Sequence, residues 1–259
     1  MKMTQEKPNY KLEVCANSVA SCLAAQEGGA YRVELCAGIP EGGTTPSHGE
    51  IAVVRELLNI RLNVIIRPRG GDFLYSDLEH RVMLKDIETA CALGVDGIVI
   101  GCLTPEGEVN MARNRELIAA AGEMSVTFHR AFDMCRDPFE SLERIIELGC
   151  DRILSSGQEP KAEQGVPLLK KLVEQAGDRI IIMPGSGINY RNIAAIASES
   201  GAREFHLSAR EPVESGMTYR NPRVKMGGTA IVINEYEQMV TQARLVKNAS
   251  EALAQLHRG

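Results

Sequence analysis

The chain has 259 residues, 44% hydrophobic and 24% charged, with a formal net charge of −5. That balance belongs to a globular chain with a sizeable core and excludes disorder as a global description. The acidity argues against a nucleic-acid partner, which calls for a basic face. No apolar run approaches the roughly 18 residues that cross a bilayer, and the stretch Met1–Lys11 lacks the apolar centre of a secretory signal. A cytoplasmic protein with no membrane partner is expected, its seven cysteines reduced thiols rather than disulfides.

In chain order, β-rich runs fall at Lys11–Ala16, Arg32–Cys36, Asn63–Pro68, Gly97–Gly101, Ser125–Phe132, Arg152–Ser156, Arg179–Pro184 and Glu204–Ala209. Between them lie helical stretches such as Ser76–Leu93, Asn110–Ala121, Pro138–Leu148, Ala162–Gln175 and Asn189–Ser198. Start signals support several: Ser18 before Val19, Ser76 before Asp77, and Asp137 followed by Pro138. Strand–helix alternation forces parallel pairing, because each crossover carries the chain back along the sheet.

A weak repeat sharpens the count. Gly29, Gly94, Gly149 and Gly201 each follow a helical stretch and precede an even-numbered strand, where a glycine suits a left-handed helix end. Four units of two strands and two helices make eight strands, which close into an α/β eight-stranded parallel (β/α)8 TIM barrel. An open doubly wound sheet is the runner-up architecture. One domain over residues 1–259 suffices, with its core at about 10–209. Residues 210–259 read as an extension: a polar surface loop over Arg210–Thr229, then a final helix over Ala230–Leu256.

Side chains alternate across a strand, so the apolar set marks the helix-covered face and parity marks the interior. Leu12 and Val14 suit the outside, which turns Glu13 and Cys15 inward. The same rule turns Glu34 and Cys36 inward, puts Arg67 on the face of Ile65, and leaves His129 inside opposite an outward Phe128. Outward Phe205 and Leu207 leave His206 and Ser208 inside. Five strands thus aim Glu13, Glu34, Arg67, His129 and His206 into one interior, a space that a purely structural barrel fills with branched apolar side chains. These groups read either as a buried ion network or as a site at the C-terminal mouth, with Glu13 or Glu34 as general base and His129 or His206 as acid.

Two loops at the same mouth carry anion-binding chemistry. Arg67-Pro68-Arg69-Gly70-Gly71 places two forked guanidinium groups beside amides that a small side chain leaves accessible. Gly185-Ser186-Gly187, following the seventh strand, with Ser208 opposite, has the composition of a phosphate cradle before a helix. Each reads equally as a tight turn with solvated side chains. Cys15 and Cys36 share the inward parity on neighbouring strands, where two thiolates suit a soft cation such as Cu(I); as buried space-filling thiols they need no ligand at all.

The runs Glu13-Val-Cys15, Arg32-Val-Glu34-Leu-Cys36, Glu41-Gly-Gly43, Ile66-Arg67-Pro-Arg69-Gly-Gly-Asp72-Phe73, Thr127-Phe-His129-Arg130-Ala-Phe-Asp133 and Ser155-Ser-Gly157-Gln158 resemble the copper homeostasis protein CutC family. The resemblance extends from about Tyr10 to Arg220. It implies a cytoplasmic eight-stranded α/β barrel, a homodimer or larger homo-oligomer, and a part in copper homeostasis, with Cys15 and Cys36 matching cysteines of the family's first two strand motifs. Three readings follow from the sequence. The first is a Cu(I)-binding protein using that cysteine pair. The second is an enzyme for a small anionic or phosphorylated metabolite, held by Arg67 and Arg69. The third is a barrel kept for partner binding.

Overall fold

A computed structural model describes residues 10–226 and 233–256. Eight strands form a parallel sheet in the order β7-β6-β5-β4-β3-β2-β1-β8. They are β1 (Lys11–Ala16), β2 (Arg32–Leu35), β3 (Arg61–Ile65), β4 (Gly97–Ile100), β5 (Ser125–Phe128), β6 (Arg152–Ser155), β7 (Ile181–Pro184) and β8 (Glu204–Leu207). The last strand pairs with the first, Glu13 opposite His206. β7 lies against β8 without a ladder between them among the described residues. The sheet is thus a nearly closed barrel.

Helices α1 (Val19–Glu27), α2 (His48–Leu57), α3 (Asp77–Ala92), α4 (Met111–Ala121), α5 (Pro138–Leu148), α6 (Val166–Ala176) and α7 (Ile193–Ser200) alternate with the strands. Their starts follow local chemistry. The Ser76 hydroxyl accepts the Glu79 N–H while the Glu79 carboxylate returns to the Ser76 N–H, a complete capping box on α3. Asp137 accepts from the N–H groups of Phe139 and Glu140, with Pro138 in the first turn of α5. The four repeat glycines all have positive φ, Gly149 at 82° and Gly201 at 74° among them, the conformation that ends a helix at least cost without a Cβ.

The apolar core sits between barrel and helices. Leu12, Val14, Val33, Leu35, Phe128, Phe205 and Leu207 point outward into it, packed with Ile51, Met83, Leu142 and Leu172 of the helices. Parity therefore leaves the polar residues of the same strands in the barrel.

The segment after β8 differs from the expected loop and long helix. Arg210–Glu214 forms β9, which pairs antiparallel with β10 (Glu237–Thr241), and helix α8 starts only at Ala243, ending at Gln255. The expected loop and helix meet at residues 229 and 230, which lie outside the described residues, as does most of the Met1–Lys11 stretch. Long-range bonds decide this hairpin: the Thr241 hydroxyl donates to the Ser208 carbonyl at 3.0 Å, its N–H donates to Ser21 Oγ at 3.1 Å, and Asn17 donates to the Met239 carbonyl at 2.9 Å. None of these is visible in local periodicity. Among the described residues no helix is long and apolar enough to cross a membrane.

Candidate metal-binding cavity

Inside the barrel the polar side chains stack in levels. At the lower level Arg32 pairs with both Glu13 and Glu204, the latter at 2.8 Å. Arg152 stands 3.4 Å from Glu204 and donates to Ser125 Oγ at 2.6 Å. Arg32, Arg152 and Glu204 are site-supporting residues that the sequence reading passed over, although Arg32 shares its parity with Glu34 and Glu204 with His206.

One level up, His206 links the acids: its Nδ1 lies 2.7 Å from Glu13 Oε1 and its Nε2 lies 3.5 Å from Glu34 Oε2. Burial opposes the charge on Glu13, yet Arg32 and His206 hold its carboxyl down at about 2. Burial also disfavours a charged His206, but Cys15, Glu13 and Glu34 raise it well above the ordinary histidine value, so the ring is an imidazolium donating to Glu13. Glu34 has no such support: burial pushes its carboxyl up to about 8, His206 notwithstanding.

Above these acids the two cysteines meet. Cys15 Sγ and Cys36 Sγ are 3.8 Å apart, and Arg210 donates to Cys15 Sγ at 3.1 Å and to the Cys15 carbonyl at 2.8 Å. The contact with Cys36 lowers the Cys15 thiol well below the ordinary value, against burial and with help from His206 and Arg210; the same contact raises Cys36. The surroundings thus favour the charged form at Cys15 and oppose it at Cys36. Cys15, Glu34 and Cys36 bring one donor atom each within 4.8 Å of one another, as do Glu13, Glu34 and His206.

A cavity of about 290 Å³ opens over this group. Glu34, Arg67, His129 and His206 all line it with both cysteines, among apolar walls that include Ile65, Phe73 and Leu154; Glu13 lies beneath, not in the lining. His129 takes the Ala131 N–H on Nδ1 at 3.1 Å and packs on Phe73, ring centroids 4.9 Å apart. Burial, reinforced by Arg67, pushes it down to about 3, so it stands neutral with its proton on Nε2. Arg67 donates to the carbonyls of Glu41, Gly43 and Gly71 at 2.8, 2.8 and 2.9 Å. It ties the rim loops together, and most of its N–H groups are committed to backbone.

The remaining expected anion ligands stand elsewhere. Arg69 turns to Glu79 at 2.5 Å and Asp72 at 3.1 Å, outside the lining. Gly185 faces the interior, where a Cβ would come within 2.4 Å of Leu154 Cδ1 and 3.3 Å of His206 Cβ; the glycine makes room for those side chains. The Ser186 hydroxyl donates to the Pro160 carbonyl at 2.8 Å, the Gly187 carbonyl accepts from Asn189 and Asn192, and Ser208 offers its carbonyl to Thr241. No member of the Gly185–Gly187 turn lines the cavity. Arg130 and Asp133, which do, stand in the short helical turn Arg130–Met134 after β5, where strand parity gives no signal. Asp133 gathers Ser155 Oγ, the Ser156 N–H and hydroxyl, and Arg130, which fixes the rim after β5 to the end of β6.

Comparison with known proteins supplies a context. The CutC family profile matches residues 10–211. A CutC family protein of Bacteroides thetaiotaomicron is 62% identical over 245 residues, 94% of this chain and 98% of the relative. The human "copper homeostasis protein cutC homolog" is 48% identical over 238 residues, 92% of this chain and 87% of the relative. The crystal structure of CutC from Streptococcus agalactiae superposes with a TM-score of 0.74 at 35% identity, covering 77% of this chain and 98% of that one. Thiamine phosphate pyrophosphorylase from Pyrococcus furiosus, at 16% identity and a TM-score of 0.59, shares the fold alone.

Proposed function

From a chain that belongs to the CutC family, we propose a part in copper homeostasis in which Cu(I), as cargo, is held by Cys15 and Cys36. The observation that carries this reading is the 3.8 Å approach of the two sulfurs at the floor of a cavity open to solvent. Thiolate–metal bonds of roughly 2.3 Å let two sulfurs flank one ion at separations up to about 4.6 Å, and the pair falls within that reach. Cu(I) favours soft sulfur donors and few of them.

The surroundings support the same preference. Glu34, pushed up to about 8, keeps its proton near neutrality and withholds a hard carboxylate. His206, engaged as an imidazolium by Glu13, withholds its nitrogens. Sulfur is then the anionic donor beside these two groups, since the Asp133 carboxylate in the lining is taken up by Ser155, Ser156 and Arg130. Exposed Met134, a further soft sulfur, belongs to the lining at the mouth. The reading includes a cytoplasmic home, where thiols stay reduced, and a homodimer or larger assembly; all seven cysteines are free thiols. The enzyme reading draws less support, since Arg67 serves backbone carbonyls and Arg69 serves acids.

The test is a Cu(I) titration of the whole protein against a chromophoric Cu(I) chelator. One ion per chain is expected, and the Cys15→Ser, Cys36→Ser double variant should lose it. Equal affinity in that variant overturns the assignment.

A further inference from the structure

We propose that Arg210 makes the sulfur pair selective for a monovalent soft cation over a divalent one. The inference rests on the Cu(I) reading of the same pair. Arg210 is the first residue of β9 and reaches back over the barrel mouth to Cys15, 195 positions earlier in the chain, through its Nη2 contacts with Cys15 Sγ at 3.1 Å and the Cys15 carbonyl at 2.8 Å. Two features aim it there. Ala209, at φ 47°, bends the chain sharply after β8, a left-handed conformation that a side chain adopts only under tertiary constraint. Thr241, the ladder partner of Arg210, is buried and bonded to Ser208 and Ser21, so the backbone beneath the guanidinium is clamped.

Among the described residues no carboxylate forms an ion pair with Arg210; its hydrogen bonds go to Cys15 alone. An arginine keeps its charge at any pH a protein survives, and at this range it acts on whatever charge the sulfurs and their ion carry. Two thiolates around Cu(I) make a complex of charge −1, which the guanidinium attracts. Two thiolates around Zn(II) make a complex of charge zero, which leaves the guanidinium without a counter-charge. The same contact therefore favours the first ion over the second. Sulfur alone would not separate them, since thiolate binds both.

The experiment measures Cu(I), Ag(I) and Zn(II) affinities of the wild-type chain and of the Arg210→Gln, Arg210→Lys and Cys15→Ser, Cys36→Ser variants, with thermal unfolding of each as a folding control. In Arg210→Gln the preference for Cu(I) over Zn(II) should narrow at least tenfold, the scale on which residues behind a metal ligand act. Ag(I) should follow Cu(I), and Zn(II) should gain affinity outright. Arg210→Lys, which keeps the charge, should retain the wild-type preference. The double cysteine variant should lose the Zn(II) gain when combined with Arg210→Gln. An unchanged ratio in Arg210→Gln, or a Lys variant that behaves like Gln, overturns the proposal. The Zn(II) arm also separates the two readings: a wild-type chain that holds no Cu(I), with a Gln variant that gains Zn(II) through the cysteines, removes the copper assignment and upholds the charge rule.

Discussion

His129 is a neutral ring enclosed by protein, with the Arg67 guanidinium close enough to oppose a second positive charge. Its folded value near 3 lies below the ordinary 6.5, so the unfolded chain takes up a proton that the folded one refuses. The stability contributed by that difference is present above about 6.5 and is lost as pH falls towards 3. Glu13, held at about 2, acts in the same direction over the window from 4.5 down to 2. Glu34 acts in the opposite one: raised to about 8, it stabilises the fold below 4.5 and that contribution fades as pH rises to 8. His129→Asn, whose amide oxygen stands in the place of Nδ1 as acceptor for the Ala131 N–H, isolates one member of this set. Between pH 7 and pH 5 the variant should gain about 2 kcal/mol relative to wild type. Urea unfolding at the two pH values reads this directly, and parallel curves for the two proteins would refute it.

At the scale of elements, the helix starts and the terminal hairpin depend on different information. Ser76 caps α3 through neighbours three residues away, and Ser76→Ala should cost about 1 kcal/mol in denaturant unfolding. The β9–β10 hairpin depends on Thr241, whose hydroxyl serves the Ser208 carbonyl. Thr241→Val keeps the volume and deletes that bond, at a cost of about 1–2 kcal/mol because the carbonyl loses its buried partner. The hairpin also carries Arg210, so the valine variant should weaken Cu(I) binding while Ser76→Ala leaves it unchanged. A Cu(I) titration of both variants distinguishes an anchor of the site from an anchor of one helix.

For the molecule as a whole, the barrel interior is held by charge where comparable barrels use branched apolar side chains. Glu13, Arg32, Glu204 and Arg152 form a chain of ion pairs with almost no solvent contact; Glu13 is 1% and Arg32 2% exposed. Such groups stabilise little as a set but are costly to separate, because removing one leaves its partners charged and dry. Arg32→Met should therefore destabilise the fold by about 3–5 kcal/mol, more than a typical exposed substitution. Since Glu13 orients His206 beneath the cysteines, the variant should also weaken Cu(I) binding. Equilibrium unfolding with a Cu(I) titration checks both, and a variant of wild-type stability would contradict the account of the interior.

The eight alternating strands, the capped helix starts, the repeat glycines and the face on which Glu34, His129, His206 and the two cysteines stand can all be read along the chain. These follow from interactions spanning a few residues: strand parity, helix period, and side chains that bond to the nearest backbone. What each inward group meets is set by packing in three dimensions. Register placed Glu13 across from both Arg32 and His206, rim loops drew the Arg67 N–H groups to three carbonyls, and Arg69 turned away to Glu79. A hairpin hidden in a polar segment returned Arg210 to Cys15. Those outcomes depend on contacts between residues far apart in the chain, 195 positions in the last case. Local periodicity carries no record of which distant strand or loop closes over a given side chain.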